Sequence, residues 1–293
     1  MIINRRLPIS FILKNTKISI VTILVILFTV WGLNFLITFP TIPLSIPAFL
    51  GTSIALVLGF KLSQSYDRWW EARKIWGAIV NDSRSLVLQV KHFAADDKTL
   101  SEITLRQIAW CFSLGQSLRK LSPHENLEDY ISSEELEAIK KHKNLPLALL
   151  DFHSKDVKAL FSAKKLDSYQ YMQIDQTIVR LTESMGKAER IKNTVFPTTY
   201  KLFLHFFIFL FIVLLSISLI ATGGVSEIPV LFFISLPFIL LEMTATLLQD
   251  PFENKPTDIS VTALAKTIEI NLKQLIGNTN IQEAAPSKSY YIN

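Results

Sequence analysis

Residues 44–71, LSIPAFLGTSIALVLGFKLSQSYDRWWE, form the stretch around which the rest of the chain is arranged. The stretch begins as an apolar segment and ends in a cluster of charged and aromatic residues, with no stop signal between the two parts. The helical pattern continues through Trp76 and Gly77. We therefore predict a single helix that runs without a hinge from an apolar segment into a polar one.

Two lines of residues follow this predicted helix at a spacing of four. Thr52, Leu56 and Phe60 lie on one line. The neighbouring line contains only small residues, namely Gly51, Ala55, Gly59 and Ser63. Small residues at this spacing let membrane helices approach closely, so a ring of such helices would turn the first line toward a shared axis and form a pore. Ordinary buried positions in a helical bundle have the same spacing, and the spacing alone does not separate the two interpretations.

The composition indicates a membrane protein with a sizeable soluble part. The chain has 293 residues, of which 49% are hydrophobic and 19% charged, and its net charge is +5. No Lys or Arg lies between Lys17 and Lys61 or between Lys201 and Lys255. This uneven distribution is typical of membrane topology and argues against nucleic-acid binding. The single cysteine, Cys111, excludes an intramolecular disulfide framework and cysteine-rich metal sites.

Four apolar segments predict four membrane helices. They span residues 18–39, 44–60, 202–222 and 228–248, and a hydrocarbon core requires about 20 apolar residues. The first segment is too long for a signal peptide and ends in TFPTIP, which is not a cleavage site. The turns near residues 40 and 224 lack Lys and Arg. Because basic residues stay on the cytoplasmic side, we expect both termini in the cytoplasm and a multi-pass protein of the plasma (inner) membrane.

The regions between these segments are helical in pattern. We expect a basic N-terminal segment with membrane helices one and two (1–60), a helical cytosolic region (61–201), membrane helices three and four (202–248), and a cytosolic helix with a disordered tail from residue 278 (249–293). Ser132 and Glu135 have the spacing of a capping box. One apolar helix face consists of Leu105, Ile108, Ala109 and Phe112. A helix seam consists of Ile174, Ile178, Leu181, Met185 and Ala188. The last helix ends at Gly277 and carries Val261, Leu264, Ile268, Leu272 and Leu275.

Glu242 is an acidic residue inside the fourth apolar segment. An ionisable group at such a place is a candidate for function, and the alternative is a neutral group, or one bonded to a neighbouring helix, near the cytoplasmic end. Pro237, five residues earlier, could break this helix. His205 in the third segment lies close to the membrane interface and requires no special role.

The chain carries none of the catalytic motifs of common hydrolases or transferases, such as G-x-S-x-G, H-E-x-x-H or a P-loop. We therefore expect no enzyme, no cofactor and no metal site. Four further histidines stand in polar surroundings, and we expect all of them to face solvent: His92, His124, His142 and His153.

With these residues in place, the chain resembles a bestrophin of the bacterial kind, over nearly all of its length to about residue 277. The order of several short motifs carries the resemblance, and they are Leu58-Gly59-Phe60, Arg68-Trp69-Trp70, the segment 189–197 (ERIKNTVFP) and Asp250-Pro251-Phe252. The resemblance implies an all-α membrane protein with four transmembrane helices per subunit and a large helical cytosolic block. It also implies a homopentameric ion channel with one central pore.

The resemblance assigns positions along this pore. The hydrophobic neck of the family falls on the line Thr52, Leu56 and Phe60, with Thr52 standing where an aliphatic residue is usual. The cytosolic constriction falls on Ile191 or Thr194, which are one helical turn apart. From their positions beside the neck and the exit, the candidates for charged groups in the vestibules are Asp67, Glu71 and Glu189, and surface solvation would explain each of them equally well.

Ion preference and calcium response follow from the same resemblance. Animal bestrophins are calcium-gated anion channels, and their acidic calcium clasp corresponds here to residues 253–258, ENKPTD. Because Lys255 and Pro256 replace carboxylates, we expect no calcium activation. We expect monovalent ions to pass, with cations such as sodium favoured and chloride possible, and membrane lipid as the surrounding partner.

Two other classes of protein fit part of the pattern. A secondary transporter commonly has broken helices and an internal repeat, and Pro237 before Glu242 suits the first criterion, but no repeat relates the two helix pairs. A membrane-anchored helical scaffold or sensor also fits the small-residue line. The aligned line of Thr52, Leu56 and Phe60 favours the channel.

Overall fold

The computed structural model describes residues 8–194, 196–223, 227–278 and 291. Every regular element in this described part is an α-helix. The helices are α1 (Ile9–Leu33), α2 (Ser45–Phe93), α3 (Asp97–Leu118), α4 (Ser133–Lys140), α5 (Leu145–Ser162), α6 (Ser168–Asn193), α7 (Thr198–Gly223), α8 (Glu227–Gln249) and α9 (Val261–Leu275). The all-α prediction is confirmed. The expected disordered tail and much of the turn near residue 224 lie outside the described residues.

Four of the described helices are long and apolar enough to cross a membrane, and they are the four that we expected. The first one is displaced from its predicted bounds of 18–39, because α1 runs from Ile9 to Leu33. Pro8 fixes the start, since proline is tolerated at the beginning of a helix but not inside it. Asn34 caps the end, well before Pro40 and Pro43. Hydropathy therefore identified the first membrane helix, but the ends that it predicted for this helix are wrong.

The long second helix agrees with the sequence. α2 is helical without interruption over 49 residues, so the prediction of a helix without a hinge is confirmed. α8 also continues through Pro237, so the expectation that this proline could break the helix is wrong.

The described residues form two compact units, one from residues 8–69, 196–223 and 227–250 and the other from residues 70–194 and 251–278. We call the first the apolar unit. Its core is formed by α1, α7, α8 and the first part of α2, with Ile23, Leu27, Leu58 and Leu231 essentially inaccessible to solvent. We call the second the polar unit. There α3 packs against α5 and α9, and Trp76 and Trp110 are fully buried.

Helix ends in the polar unit are set by side-chain caps. Ser132 accepts a hydrogen bond from the Glu135 amide, which confirms half of the predicted capping box. The Glu135 carboxylate instead binds Arg106, which also binds Asp156 and so joins α3, α4 and α5. A complete capping box, which sequence inspection missed, opens α6 at Asp167. The predicted seam of α6 is buried at all of its positions: Ile174, Ile178, Leu181, Met185 and Ala188.

His153 contradicts the expectation that all four scattered histidines face solvent. His92, His124 and His142 are exposed, but His153 is fully buried on α5. Its Nε2 lies 3.1 Å from Oε1 of Gln107, whose amide donates to Ser83 at 2.8 Å. Burial, and then the charge of Arg106, lower the pKa of His153 well below its ordinary value. The polar neighbours in sequence hid a position on the inward face of α5.

The burial of His153 predicts a loss of stability in acid. The folded protein keeps the imidazole neutral, so below about pH 6.5 the unfolded chain binds one more proton than the folded chain. Stability is then complete above this pH and falls by up to about 1.4 kcal/mol per pH unit below it. Unfolding of the purified protein followed by circular dichroism at pH 7.5 and 5.5 should reveal this loss, and His153→Gln should reduce it. His142→Gln, at an exposed site, is the control, and an equal acid response in both variants would contradict the assignment.

Candidate pore face and its supporting contacts

The line predicted as the pore neck lies on the exposed side of α2. Leu56 is 63% exposed and Phe60 is 60% exposed, and other large apolar side chains of the apolar unit, such as Phe49 and Phe233, are also exposed. Thr52 is exposed as well, and its hydroxyl donates to the Ala48 carbonyl at 3.0 Å within the helix. The structure therefore leaves all three side chains uncovered by their own chain.

The opposite side of α2 is covered by its own chain. Ile54 and Leu58 are buried in the core of the apolar unit. Gly51 packs closely against α7, because a Cβ atom there would lie 3.0 Å from the Phe211 ring and that ring would have to shift. The predicted line of small residues therefore divides. Gly51 packs inside the chain, while Ala55, Gly59 and Ser63 are exposed.

A buried ion pair lies on this covered side. The Lys61 ammonium is 2.9 Å from Oε1 of Glu242 and 3.2 Å from the Thr246 hydroxyl, which donates to the same carboxylate oxygen at 2.8 Å. His205 Nε2 lies 3.5 Å from the second oxygen of Glu242. Glu242 thus bonds to a neighbouring helix, and His205 has a charged neighbour that we did not expect. Lys61 was missed because we treated it as the first residue of the cytosolic block.

Two of the charged residues expected beside the neck lie on the same side of α2 as the neck line. At about 100° per residue, Asp67 and Glu71 fall on the same side of the helix as Leu56 and Phe60. Asp67 is exposed, and the Glu71 carboxylate lies 2.6 Å from the Lys74 ammonium, one turn further on.

The two candidates for the cytosolic constriction differ in exposure. Ile191 is 7% exposed and belongs to the buried side of α6, whereas Thr194 is exposed and caps the end of that helix. Glu189, the third vestibule candidate, accepts a hydrogen bond from the Asn144 side chain at 2.9 Å.

Residues 251–260 form a loop whose acidic groups are bound within the polar unit. The Lys192 ammonium lies 2.7 Å from the Glu253 carboxylate and 3.2 Å from the Phe252 carbonyl oxygen. This ammonium lowers the pKa of Glu253. Asp258 accepts hydrogen bonds from the Glu253 and Lys255 amides, and its burial raises its pKa. Among the described residues, no three side chains of His, Cys, Asp or Glu gather as a metal site would require.

Comparison with known proteins agrees with the resemblance found in the sequence. Residues 7–274 match the family model described as bacterial/fungal bestrophin protein. The chain is 29% identical over 272 residues to the voltage-dependent anion channel-forming protein YneE of Escherichia coli K12, covering 92% of this chain and 88% of that protein. It is 26% identical over 248 residues to the voltage-dependent anion channel-forming protein RSc3414 of Ralstonia nicotianae, covering 83% of this chain and 80% of that protein.

A solved structure shares the fold. A crystal structure of a bacterial bestrophin homologue from Klebsiella pneumoniae superimposes with a TM-score of 0.82 at 28% identity, covering 91% of this chain and 98% of that one. The family model spans nearly the whole described chain, and the relatives align over most of their own length. The chain therefore belongs to the bestrophin family, on its bacterial and fungal side.

Proposed function

We propose that the protein is a homopentameric channel for monovalent ions, with one central pore lined by α2 from each subunit. The observation that carries this proposal is the exposed apolar line of Leu56 and Phe60 on a helix whose opposite side is buried. A single copy leaves these side chains more than half exposed on a helix apolar enough to cross a membrane. The names of the curated relatives, which are channel-forming proteins, support the same function.

The chemistry of the line suits a neck. Five copies of Leu56 and Phe60 around an axis would offer few polar partners to a hydrated ion, so the neck could close by dewetting and open by a small widening. Thr52 would make the outermost ring partly polar, although its hydroxyl proton is used within the helix. The ring should still hydrate more easily than an aliphatic one, since the hydroxyl oxygen can accept a bond from water.

Charge near the neck would decide which ions pass. Asp67 and Glu71 on the exposed side of α2 favour cations, and we take sodium as the first candidate. Chloride is the second candidate, because the relatives are named as anion channel-forming proteins. Glu189 would add negative charge near the cytosolic exit, where we favour Thr194 over Ile191 as the constriction because a lumen-facing side chain must be uncovered by its own chain.

Topology follows from charge. All Lys and Arg residues lie outside the turns near residues 40 and 224, so both termini and the polar unit belong in the cytoplasm of a bacterial cell. The apolar unit belongs in the plasma membrane, surrounded by lipid. The unbroken helix at Pro237 weakens the transporter alternative, since transporter sites commonly use discontinuous helices.

Calcium should have no part in opening. The Lys192 ammonium already binds the Phe252 carbonyl and the Glu253 carboxylate, and two backbone amides donate to Oδ2 of Asp258, whose buried Oδ1 has no hydrogen-bond partner among the described residues. A calcium ion needs six to eight oxygen ligands, and the single unpartnered oxygen of Asp258 is far fewer than that.

The ion preference can be measured by the reversal potential of purified protein in a planar lipid bilayer with asymmetric NaCl. We expect a current whose reversal potential has the sign of sodium selectivity. The opposite sign would establish chloride as the permeant ion, and electrically silent bilayers would contradict the channel itself.

The neck assignment predicts a gain of conduction on shortening its side chains. Leu56→Ala and Phe60→Ala should each raise ion flux into proteoliposomes by about tenfold, because a wider and less apolar ring is easier to wet. Val57→Ala is the matched control, since Val57 neighbours the line but faces the cleft between α2 and α7. Unchanged flux in both neck variants would show that another surface lines the pore.

The calcium assignment predicts that chelation leaves the current unchanged. Single-channel recording before and after addition of a calcium chelator to both chambers tests this, with an animal bestrophin as positive control. Loss of current on chelation would contradict our interpretation of residues 251–260.

A further inference from the structure

Lys61 is an ammonium group held where water does not reach it. Its side chain is 0% exposed, and that of Glu242 is 10% exposed. A buried charge of this kind costs several kcal/mol unless a partner with good geometry offsets the cost. Lys61, Thr246 and Glu242 provide that geometry as a closed ring of three hydrogen bonds.

The ring sits behind the neck line. Lys61 shares the buried side of α2 with Ile54, Leu58 and Ser65. At about 100° per residue, the mean direction of this side points about 170° away from that of Thr52, Leu56 and Phe60. Lys61 is also the residue directly after Phe60, so along the helix axis the two are separated by only about 1.5 Å.

The apolar contacts on the buried side restrain rotation less strongly than this ring, and one neutral hydrogen bond, from the Tyr200 hydroxyl to the Val57 carbonyl at 2.9 Å, adds to the restraint. Ile54 and Leu58 pack through apolar surface, and apolar attraction has no preferred direction. Charge-assisted hydrogen bonds depend strongly on distance and angle. If α2 turned about its own axis, the buried Lys61 ammonium would leave both Glu242 and Thr246, while Glu242 would keep only Thr246 and His205 as neighbours.

We propose that the Lys61–Glu242 pair is a positioning contact that fixes the rotation of α2 and thereby aims Leu56 and Phe60 at the pore axis. This inference rests on the proposed function. It assigns the intramembrane acid a role in aiming the neck and gives it no contact with the permeating ion.

The test measures which way residue 60 faces. Phe60→Cys is made in a Cys111→Ser background, which removes the single native cysteine, and the protein is reconstituted in lipid vesicles. The rate of modification by a positively charged, water-soluble methanethiosulfonate reagent reports access from the aqueous pore. With the pair intact we expect modification, and with Lys61→Met or Glu242→Gln added we expect the rate to change by about tenfold, because the remaining unpaired charge drives α2 to turn.

A matched control lies further along the same helix. Asp82 of α2 pairs with Arg180 at 2.8 Å on the surface of the polar unit. Asp82→Asn breaks an ion pair of α2 without leaving a buried charge unpaired, so the modification rate should stay within about twofold of the parent rate.

Two paired variants separate aiming from folding. Exchanging the charges, with Lys61→Glu and Glu242→Lys together, should restore the parent rate to within about twofold. The apolar pair Lys61→Met with Glu242→Leu leaves no buried charge and should fold, but it lacks the directional contact and should keep an altered rate. These pairs decide the matter if the single variants fail to fold.

The outcomes for the two proposals are distinct. A parent rate in the apolar pair would overturn the positioning role while leaving the channel intact. A thiol at position 60 that stays unreactive with the Lys61–Glu242 pair intact would instead overturn the neck assignment, and with it the proposed function.

Discussion

The rotational setting of α2 is the constraint on which the rest of the structure depends. One side of this helix, with Ile54, Leu58 and Lys61, is buried in the apolar unit. On the other side, Leu56 and Phe60 are exposed. Exposed large apolar side chains are tolerated on a helix that lies in a membrane or meets further copies of the chain. The division of one helix into a covered side and an uncovered side is thus the physical basis of both the fold and the proposed pore.

Buried polar contacts complement apolar packing in both units. In the polar unit, Arg106 binds Glu135 and Asp156 and so joins three helices, while His153 and Gln107 extend hydrogen bonds inward. In the apolar unit, Lys61 and Glu242 join α2 to α8. Breaking one partner of such a pair is far more costly than its net contribution suggests, because the other charge stays buried. Each of these contacts joins particular helices, and loss of one partner should therefore destabilise the fold.

Sequence reasoning identified those features of the fold that leave a pattern in apolar spacing or in charge. The helical fold, the uninterrupted α2 and the inward seam of α6 follow from apolar spacing, and the family follows from short motifs in a fixed order. Sequence reasoning failed where a polar or charged side chain is buried. Lys61 stands at the end of an apolar segment and His153 among polar residues, and only the packing of distant helices shows that both are buried. The ends of α1 also depend on local caps and prolines, to which hydropathy is blind.

The most direct test of the central claim is a single-particle cryo-EM structure of the purified protein in lipid nanodiscs. We predict five copies around one axis, with residues 52, 56 and 60 of each copy facing a common lumen. A monomer, or an assembly in which residue 60 faces lipid acyl chains, would contradict the account.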